Sequence, residues 1–191
     1  RSLALLAGRF ADEVRLLVTA RRLEGEIGVW GCQILGAIGQ DEDCALLLTV
    51  LKAPDAALRG AAADALGALA MRVDAREALL FALADEAHGV RAAAARSLGA
   101  SGDPDVLRAL TGATADDNEW VRVAAITALG VLRLPGAVGI LCALAGSDQP
   151  ALSLCAIESL AQIAGDHPLR DDVLARSLAH RDCEIVKAAV R

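Results

Sequence analysis

The chain has 191 residues, of which 55% are hydrophobic and 2% aromatic, and its 19 basic and 25 acidic residues give a net charge of −6. This composition excludes a disordered chain, and the acidic balance disfavours a nucleic-acid partner, because a phosphate backbone is normally met by clustered basic side chains. No apolar run approaches the ~18 residues that a membrane span requires, so we expect a soluble protein with no membrane partner.

The first predicted element is a long amphipathic helix over residues 3–24, "LALLAGRFADEVRLLVTARRLE". We expect residues 1–26 to form a cap or the end of an upstream region. Residues 27–191 are predicted to form a repeat domain whose last copy is incomplete. Because the sequence starts at Arg1 without a methionine or a signal-type segment, we interpret it as an excerpt or a trimmed chain.

From residue 27 onward, a Leu-Gly pair recurs with spacings of 31, 32, 31 and 31 residues. The copies are Leu35-Gly36, Leu66-Gly67, Leu98-Gly99, Leu129-Gly130 and a fifth, Leu160-Ala161. Four positions before each leucine stand Gly31, Ala62, Ala94, Ala125 and Ala156. Eight positions before it stand Ile27, Leu58, Val90, Val121 and Leu152. These offsets lie on one helical face with the smallest residue in the middle, which predicts a close helix crossing.

Each copy continues through a short polar turn into a second apolar helix. Aspartates predicted to cap the first helices are Asp55, Asp85, Asp117, Asp148 and Asp182. Prolines predicted in the first turns of the second helices are Pro104, Pro135 and Pro168. The glycine after each first helix suits a left-handed C-cap. We therefore predict an all-α fold, a right-handed α-solenoid of about five helix pairs plus the N-terminal helix.

The pattern "DDNEWVRVAAITALGVLRLPGAVGILCAL" resembles HEAT repeats of the short bacterial type that are related to phycobilin-lyase repeats. The resemblance covers roughly residues 27–191. The chain is also similar to an uncharacterised bacterial HEAT-repeat family, some members of which are encoded with type VI secretion components. Families with this fold mostly serve as scaffolds and adaptors, so the resemblance implies protein binding.

Three arginines stand seven positions before the leucines of successive copies, namely Arg59, Arg91 and Arg122, with Gly28 and Ser153 at the equivalent places. The resemblance implies that such arginines meet aspartates between helices. The sequence supplies Asp55, Asp85 and Asp116 within range. We predict a structural ladder, and the alternative is a row that binds an anion.

A candidate partner-binding surface follows from aligning the second helices on Leu51, Leu83, Leu110, Leu144 and Leu178. Two positions before these leucines stand Thr49, Phe81, Arg108, Cys142 and Arg176. This variable row is predicted to line the concave face, together with Lys52, Arg76 and Thr111. One alternative is that Phe81 and Cys142 fill gaps between repeats. Another is that the acidic clusters at 41–43, 85–86 and 116–117 attract a basic partner instead of only capping helices.

The sequence disfavours a metal site and an aromatic binding wall. His88, His167 and His180 occupy unrelated repeat positions, and the His-Glu dipeptides that ligate iron in deoxyhypusine hydroxylases are missing from the sequence. Trp30 and Trp120 fall at different repeat offsets, so they form no aromatic wall. We expect Trp30 to pack against the N-terminal helix and Trp120 to be partly exposed at a helix start.

Five cysteines, Cys32, Cys44, Cys142, Cys155 and Cys183, lie in apolar helical patterns without a Cys-x-x-Cys pair. They predict buried thiols in a reducing, cytoplasmic compartment. No catalytic, metal or cofactor residues are predicted. We expect a non-catalytic scaffold or adaptor that binds another protein, and the alternative is an enzyme or enzyme subunit of the HEAT-like lyase or hydroxylase type.

Overall fold

The computed structural model describes residues 12–16, 25–163, 167–178 and 183–190. All regular secondary structure in these ranges is helical. The predicted all-α repeat fold is therefore confirmed. Of the long helix expected over 3–24, residues 12–16 are helical, and the rest of that prediction lies outside the described residues.

The chain divides into two compact units, residues 1–101 and residues 102–191. The helices of the first unit are α1 (residues 12–16), α2 (Gly25–Ile38), α3 (Asp41–Val50), α4 (Ala56–Gly67), α5 (Val73–Ala82) and α6 (His88–Gly99). Those of the second are α7 (Val106–Ala113), α8 (Glu119–Leu132), α9 (Pro135–Ala145), α10 (Pro150–Ala161), α11 (Pro168–Leu178) and α12 (Cys183–Val190).

In the first unit, the first helices of successive copies pack on one another, α2 on α4 and α4 on α6. The second helices α3 and α5 each contact the first helix of their own copy and that of the next. Leu35, Leu66 and Leu98, which define the repeat, are all fully buried. The core of this unit is therefore a line of leucines between the two helix layers.

The second unit repeats this arrangement. Its first helices α8, α10 and α12 contact each other in chain order, and α9 and α11 pack beside them. Leu129 and Leu160 are fully buried, as are Ile126 on α8 and Leu141 on α9. The same sequence pattern thus produces the same packing in both units.

Small residues lie at the helix crossings, as predicted. Ala62, Ala94, Ala125 and Ala156 are all fully buried. The position eight before the leucine is buried in four copies, but Ile27 of the first copy is 68% exposed, so its predicted burial is wrong. Among the described helices, α2 packs against α3 and α4, and both follow it in the chain.

The repeated glycines do not have the predicted C-cap role. Gly36, Gly67 and Gly130 all lie within right-handed helix. The predicted left-handed C-cap is present in the first copy, where Gly39 directly follows α2 with a φ of 70° and its N–H donates to the Leu35 carbonyl at 2.9 Å. The structure places these repeated glycines where a first helix meets the next first helix.

The contact at these glycines is too close for any side chain. A Cβ on Gly36 would lie 2.9 Å from the Ala65 Cα, and one on Gly67 would lie 2.7 Å from the Ser97 Oγ. Real Cβ atoms essentially never approach other atoms within 3.0 Å. Gly36, Gly67 and Gly130 therefore allow neighbouring first helices to approach closely.

The predicted caps are correct in part. Asp55 caps α4, and its carboxylate accepts a hydrogen bond from the Ala57 N–H at 2.8 Å. The Asp85 carboxylate instead accepts a hydrogen bond from the Ala87 N–H at 2.9 Å, within the turn that precedes α6. Asp117 and Asp148 are not N-caps, because the helices begin after Asn118 and Gln149. Asp182 lies outside the described residues.

Prolines begin helices as predicted at Pro135 and Pro168, the first residues of α9 and α11. Pro104 precedes α7, which starts at Val106, so its predicted position inside the first turn is wrong. Pro150 has the same role at the start of α10, which the sequence analysis did not identify. Proline suits this position because the first backbone N–H groups of a helix have no intrahelical acceptor.

Replacing Ala94 with leucine is expected to lower the free energy of unfolding by about 1 to 3 kcal/mol, because a close crossing cannot accept the added side chain. Ala94 is fully buried on α6. The matched control is Ala45→Leu on the exposed face of α3, which we expect to stay within about 0.5 kcal/mol of the parent. Urea unfolding measures both, and equal midpoints for the two variants would contradict the close crossing.

Candidate functional site

The second helices present a recurrent exposed face. In the first unit this face consists of residues 41, 45 and 49 on α3 and residues 73, 77 and 81 on α5, all exposed. In the second unit the corresponding exposed positions are 104, 108 and 112 at α7 and 135, 139 and 143 on α9. Positions four residues apart lie on one side of a helix, so each helix offers one continuous stripe to solvent.

The register of the predicted row changes in the third copy. Leu110 is fully buried, whereas Leu51, Leu83 and Leu144 are only half-buried. Leu110 therefore corresponds to Leu47, Leu79 and Leu141, the fully buried leucines of the other second helices. Arg108 is exposed but stands one turn before the positions equivalent to Thr49 and Phe81.

The first unit carries four of the predicted partner-binding residues. Phe81 on α5 is 84% exposed, so it does not fill a gap between repeats. Thr49 and Lys52 are also exposed, and the Thr49 hydroxyl donates to the Ala45 carbonyl at 3.1 Å. Arg76 is half-buried. Phe81 thus stands out as a large apolar side chain left in solvent on a helix that is packed on its other side.

The second unit carries the other three predicted partner-binding residues. Arg108 is exposed, whereas Thr111 is half-buried and its hydroxyl donates to the Leu107 carbonyl at 2.7 Å. Arg176 is exposed and forms an ion pair with Asp172 at 2.6 Å. These residues therefore offer polar groups and positive charge, in contrast to Phe81 in the first unit.

The arginine ladder has one complete rung in the first unit. The Arg59 guanidinium donates to both carboxylate oxygens of Asp85, at 2.8 Å each. It also donates to the carbonyls of Ala53 at 3.0 Å and Pro54 at 2.9 Å. Both charged side chains are nearly buried, so this pair joins α4 to the turn before α6 with little solvent screening.

The ion pair moves the pKa of both partners. The hydrogen bond from Arg59 holds the pKa of Asp85 below its usual range, and the same bond raises the pKa of Arg59. Burial acts in the opposite direction on each group. Asp85 is therefore ionised at neutral pH.

Arg91 and Arg122 bind backbone oxygens in the same way as Arg59. Arg91 donates to the carbonyls of Asp85 and Glu86, and Arg122 to those of Asp116 and Asp117. Asp55 caps its own helix through its carboxylate, and the described contacts show no ladder bond from it. The ladder is thus chiefly a set of arginine bonds to the carbonyls of the turn preceding each first helix.

The acidic clusters at helix starts are partly used inside the first unit. Asp43 is fully buried and pairs with Arg15 of α1 at 2.7 Å, which raises the pKa of Arg15. Asp41 pairs with Arg72, whereas Glu42 is exposed. Much of the negative charge at 41–43 is therefore matched by arginines of the same unit.

A cavity of about 400 Å³ lies in the second unit among α9, α10, α11 and α12. Cys142 and Arg176 of the predicted row both line it, beside Ser147, Asp148 and Ser153. Burial raises the pKa of the Cys142 thiol, and the nearby Arg176 opposes this effect. The sequence analysis missed the cavity, although Ser153, standing where other copies have arginine, was a signal for it.

The thiols and histidines that the structure describes form no metal site. Burial raises the pKa of Cys32 to about 11, so that thiol stays protonated. Burial also raises the pKa of the Cys44 and Cys155 thiols. The side chain of Cys183 lies outside the described residues. In the described part of the chain, no group of three or more histidine, cysteine, aspartate or glutamate side chains could hold a metal ion. His180 lies outside that part.

Both tryptophans are in solvent. Trp120 is 78% exposed at the start of α8, as predicted. Trp30 is 65% exposed on α2, so the prediction that it packs against the N-terminal helix is wrong. None of the helices in the described ranges is long and apolar enough to cross a membrane.

Comparison with protein families agrees with this repeat geometry. The family model for HEAT repeats matches residues 44–122 and again residues 112–191. The chain belongs to the HEAT-repeat family. The two matched segments together span most of the HEAT copies identified above, including the arginine rung and the cavity. No curated protein matches the chain in sequence.

Several solved HEAT-like and armadillo structures are similar. An engineered protein has a TM-score of 0.62 and 21% identity over 100% of this chain and 94% of that one. The phycocyanin lyase complex of CpcE and CpcF from Nostoc sp. PCC7120 has a TM-score of 0.63 and 24% identity, and the match covers 77% of this chain and 95% of that one. A computationally designed armadillo repeat protein for modular peptide recognition has a TM-score of 0.58 and 16% identity, and the match covers 93% of this chain and 96% of that one. At these identities the similarity shows the fold.

Proposed function

We propose that the protein is a non-catalytic scaffold or adaptor that binds another protein through the exposed face of its second helices. The observation that supports this most strongly is Phe81, a phenylalanine with 84% of its surface in water on an otherwise packed helix. Val73, two helical turns earlier on the same side of α5, and Met71 in the preceding turn are also exposed. Three large apolar side chains exposed on one helix and the turn before it are consistent with an interaction site.

The stripe on α5 suits a protein partner better than a small molecule. Val73, Glu77 and Phe81 lie along one exposed side of a helix and do not line the cavity described above, whereas small ligands bind in concave sites. An exposed helix face of this kind can enter a groove on a partner, and buried aromatic anchors dominate the energy of such contacts. The designed armadillo protein for modular peptide recognition has a related fold, which is consistent with this use.

Arg108 is the second proposed anchor, on α7 of the second unit. It is exposed, and no ion pair with it occurs among the described residues. Arginine is enriched with aromatic residues among the side chains that contribute most to binding. Each unit therefore carries one proposed anchor, which is apolar in the first unit and cationic in the second.

Replacing both anchors with alanine is expected to weaken partner binding by about 2 kcal/mol, with helix content unchanged. The partner is first retained from an extract of the source cells and identified by mass spectrometry. Titration calorimetry then compares the parent with Phe81→Ala, Arg108→Ala and the double variant, and circular dichroism checks folding. Gln33→Ala and Thr127→Ala, on exposed positions of the first helices, are matched controls expected to bind like the parent.

Parent-like affinity of the double variant would contradict the second-helix surface. The acidic cluster at 116–117 would then be tested by the salt dependence of binding, which is steep when opposite charges meet. Replacing His88, His167 and His180 together is expected to leave affinity unchanged.

The enzyme alternative has its own test. An absorption spectrum and a metal analysis of the purified protein distinguish a binding protein from a lyase or hydroxylase relative. A chromophore or a stoichiometric metal retained through purification would overturn the non-catalytic proposal.

A further inference from the structure

The three ladder arginines share one backbone contact. In each, the guanidinium Nη1 donates to the carbonyls that stand six and five residues earlier in the chain. These distances range from 2.9 to 3.1 Å. The turn before a first helix therefore presents a pair of carbonyl oxygens whose spacing suits a guanidinium group.

The fifth copy has the oxygens without the arginine. Ser153 occupies the arginine position on α10, and the carbonyls six and five residues earlier belong to Ser147 and Asp148. The Ser153 hydroxyl donates instead to the Ala145 carbonyl at 2.6 Å. No hydrogen bond from the described residues reaches the carbonyl oxygens of Ser147 or Asp148. The pair of acceptors therefore remains without its donor.

The cavity of the second unit lies at this position. Ser147, Asp148 and Ser153 all line it, and its volume is about 400 Å³. One water occupies about 30 Å³ in the liquid, so the space accepts a whole side chain. The cavity thus adjoins the position at which three of the other copies supply a guanidinium.

The charges around the cavity favour a cation at these carbonyls. Asp148 stands where Asp85 stands relative to Arg59, 26 residues after the preceding ladder arginine, but it is exposed and has no ion pair within the described residues. The preceding arginine, Arg122, donates to the Gln149 side chain at 3.2 Å instead. The positive charge of Arg176, which also lines the cavity, is paired with Asp172 at 2.6 Å. Asp148 is therefore available to a cation from outside.

We propose that this arginine socket, formed by Ser147, Asp148 and Ser153, binds an arginine side chain of a partner protein. The guanidinium would donate to the two carbonyls and to the Asp148 carboxylate, and the arginine stem would lie against the apolar lining at Pro150 and Ile157. Because one guanidinium nitrogen bonds both carbonyls in the other copies, an arginine keeps further N–H donors for the Asp148 carboxylate. This inference rests on the proposed protein-binding function and names one anchor of the partner.

The test uses the full chain, labelled with ¹⁵N, and the probe acetyl-Gly-Arg-Gly-amide. Its control is the same peptide with citrulline, which keeps the shape of arginine and removes the charge. We expect the arginine peptide to shift the backbone amide signals of Ser147, Asp148 and Gln149 in a saturable way. The citrulline peptide should bind at least about tenfold more weakly, because charge-assisted hydrogen bonds are lost.

Three variants sharpen the test. Ser153→Arg restores the arginine of the other copies, so it should fill the socket and weaken peptide binding at least about tenfold. Ala151→Arg is the matched control and should bind like the parent, because it adds the same charge to α10 at an exposed position that does not line the cavity. Asp148→Asn should weaken binding severalfold by removing the carboxylate charge.

Equal binding of the arginine and citrulline peptides would overturn the socket, as would parent-like binding by a folded Ser153→Arg variant. If Ser153→Arg does not fold, unchanged affinity of Asp148→Asn overturns it. Failure of the socket leaves the Phe81 surface standing, since that surface is tested with a whole partner and with variants of α5 and α7.

Discussion

Replacing Gly130 with alanine is expected to lower the free energy of unfolding by about 3 kcal/mol, the upper end of the usual cost of overpacking. The added Cβ would lie 2.6 Å from the Ser159 Cβ and 2.9 Å from the Ser159 Cα. Because the second of these atoms is backbone, a rotamer change cannot relieve the contact, and α10 must move away from α8. That movement also weakens the hydrogen bond from the Ser159 hydroxyl to the Ile126 carbonyl, 3.2 Å long.

The prediction for Gly130→Ala has the opposite sign to the usual effect of replacing a helical glycine with alanine. Alanine is normally favoured over glycine in a helix interior by about 1 kcal/mol. Gly139 on α9 provides the matched control, since nothing lies within 4 Å of a Cβ built there. Gly139→Ala is therefore expected to stabilise the protein by up to about 1 kcal/mol.

Urea unfolding of the parent and both glycine variants measures these changes, with the slope against denaturant checked for constancy. Opposite shifts of the two midpoints are expected. A stabilising Gly130→Ala would show that α8 and α10 are farther apart than the structure places them.

Replacing Arg59 with methionine is expected to lower the free energy of unfolding by about 3 kcal/mol, the lower end of what breaking a buried ion pair costs. The variant keeps an unbranched apolar stem and removes the guanidinium. Asp85, nearly buried, would lose both bonds from Arg59, and the carbonyls of Ala53 and Pro54 would lose their donor. We place the value at the low end because part of the pair still reaches solvent.

The control for this variant is Arg96→Met. Arg96 pairs with Asp64 at 3.0 Å, but both side chains are exposed, so the loss should be at most about 1 kcal/mol. Thermal or urea unfolding compares the two variants at neutral pH. Losses of equal size would show that the Arg59 pair contributes no more than an ordinary surface pair.

The effect of Arg59→Met should also depend on pH. The pKa of Asp85 is lowered in the folded protein, so the pair stabilises the fold above the unfolded-state pKa of about 4. That stabilisation is lost as the pH falls through the lower, folded-state pKa. The difference between parent and variant should therefore be constant from neutral pH down to about 4 and shrink below it. A difference that grows in acid would contradict the assignment to Asp85.

The first helices were predictable because each carries its whole pattern. The leucines, the small residues four positions before them and the 31-residue spacing are visible without any knowledge of neighbours. The buried positions of the second helices are harder to predict from the sequence, since leucine occurs there at both buried and half-buried positions. The sequence alone therefore aligns Leu110 with Leu51, and only burial in the structure shows that its equivalent is Leu47.

The candidate sites divide in a similar way. The Arg59 and Asp85 pair followed from spacing and charge, because both positions recur with the repeat. The arginine socket did not, although Ser153 was visible as an exception in the sequence. An exception produces a cavity only if no neighbouring side chain fills the space, and this depends on how α9, α10 and α11 pack.

The amino-acid sequence by itself determined the helical repeat, the residues of its leucine core and the position of its arginines, because each of these depends on periodicity within one helix or one copy. Only the tertiary structure decided that Gly36, Gly67 and Gly130 serve helix contact in place of helix ending, and that the socket at Ser153 is open. The physical reason is that both features depend on distances of about 3 Å between atoms of neighbouring copies. Periodicity in the chain specifies which helices meet, and side-chain packing specifies how closely.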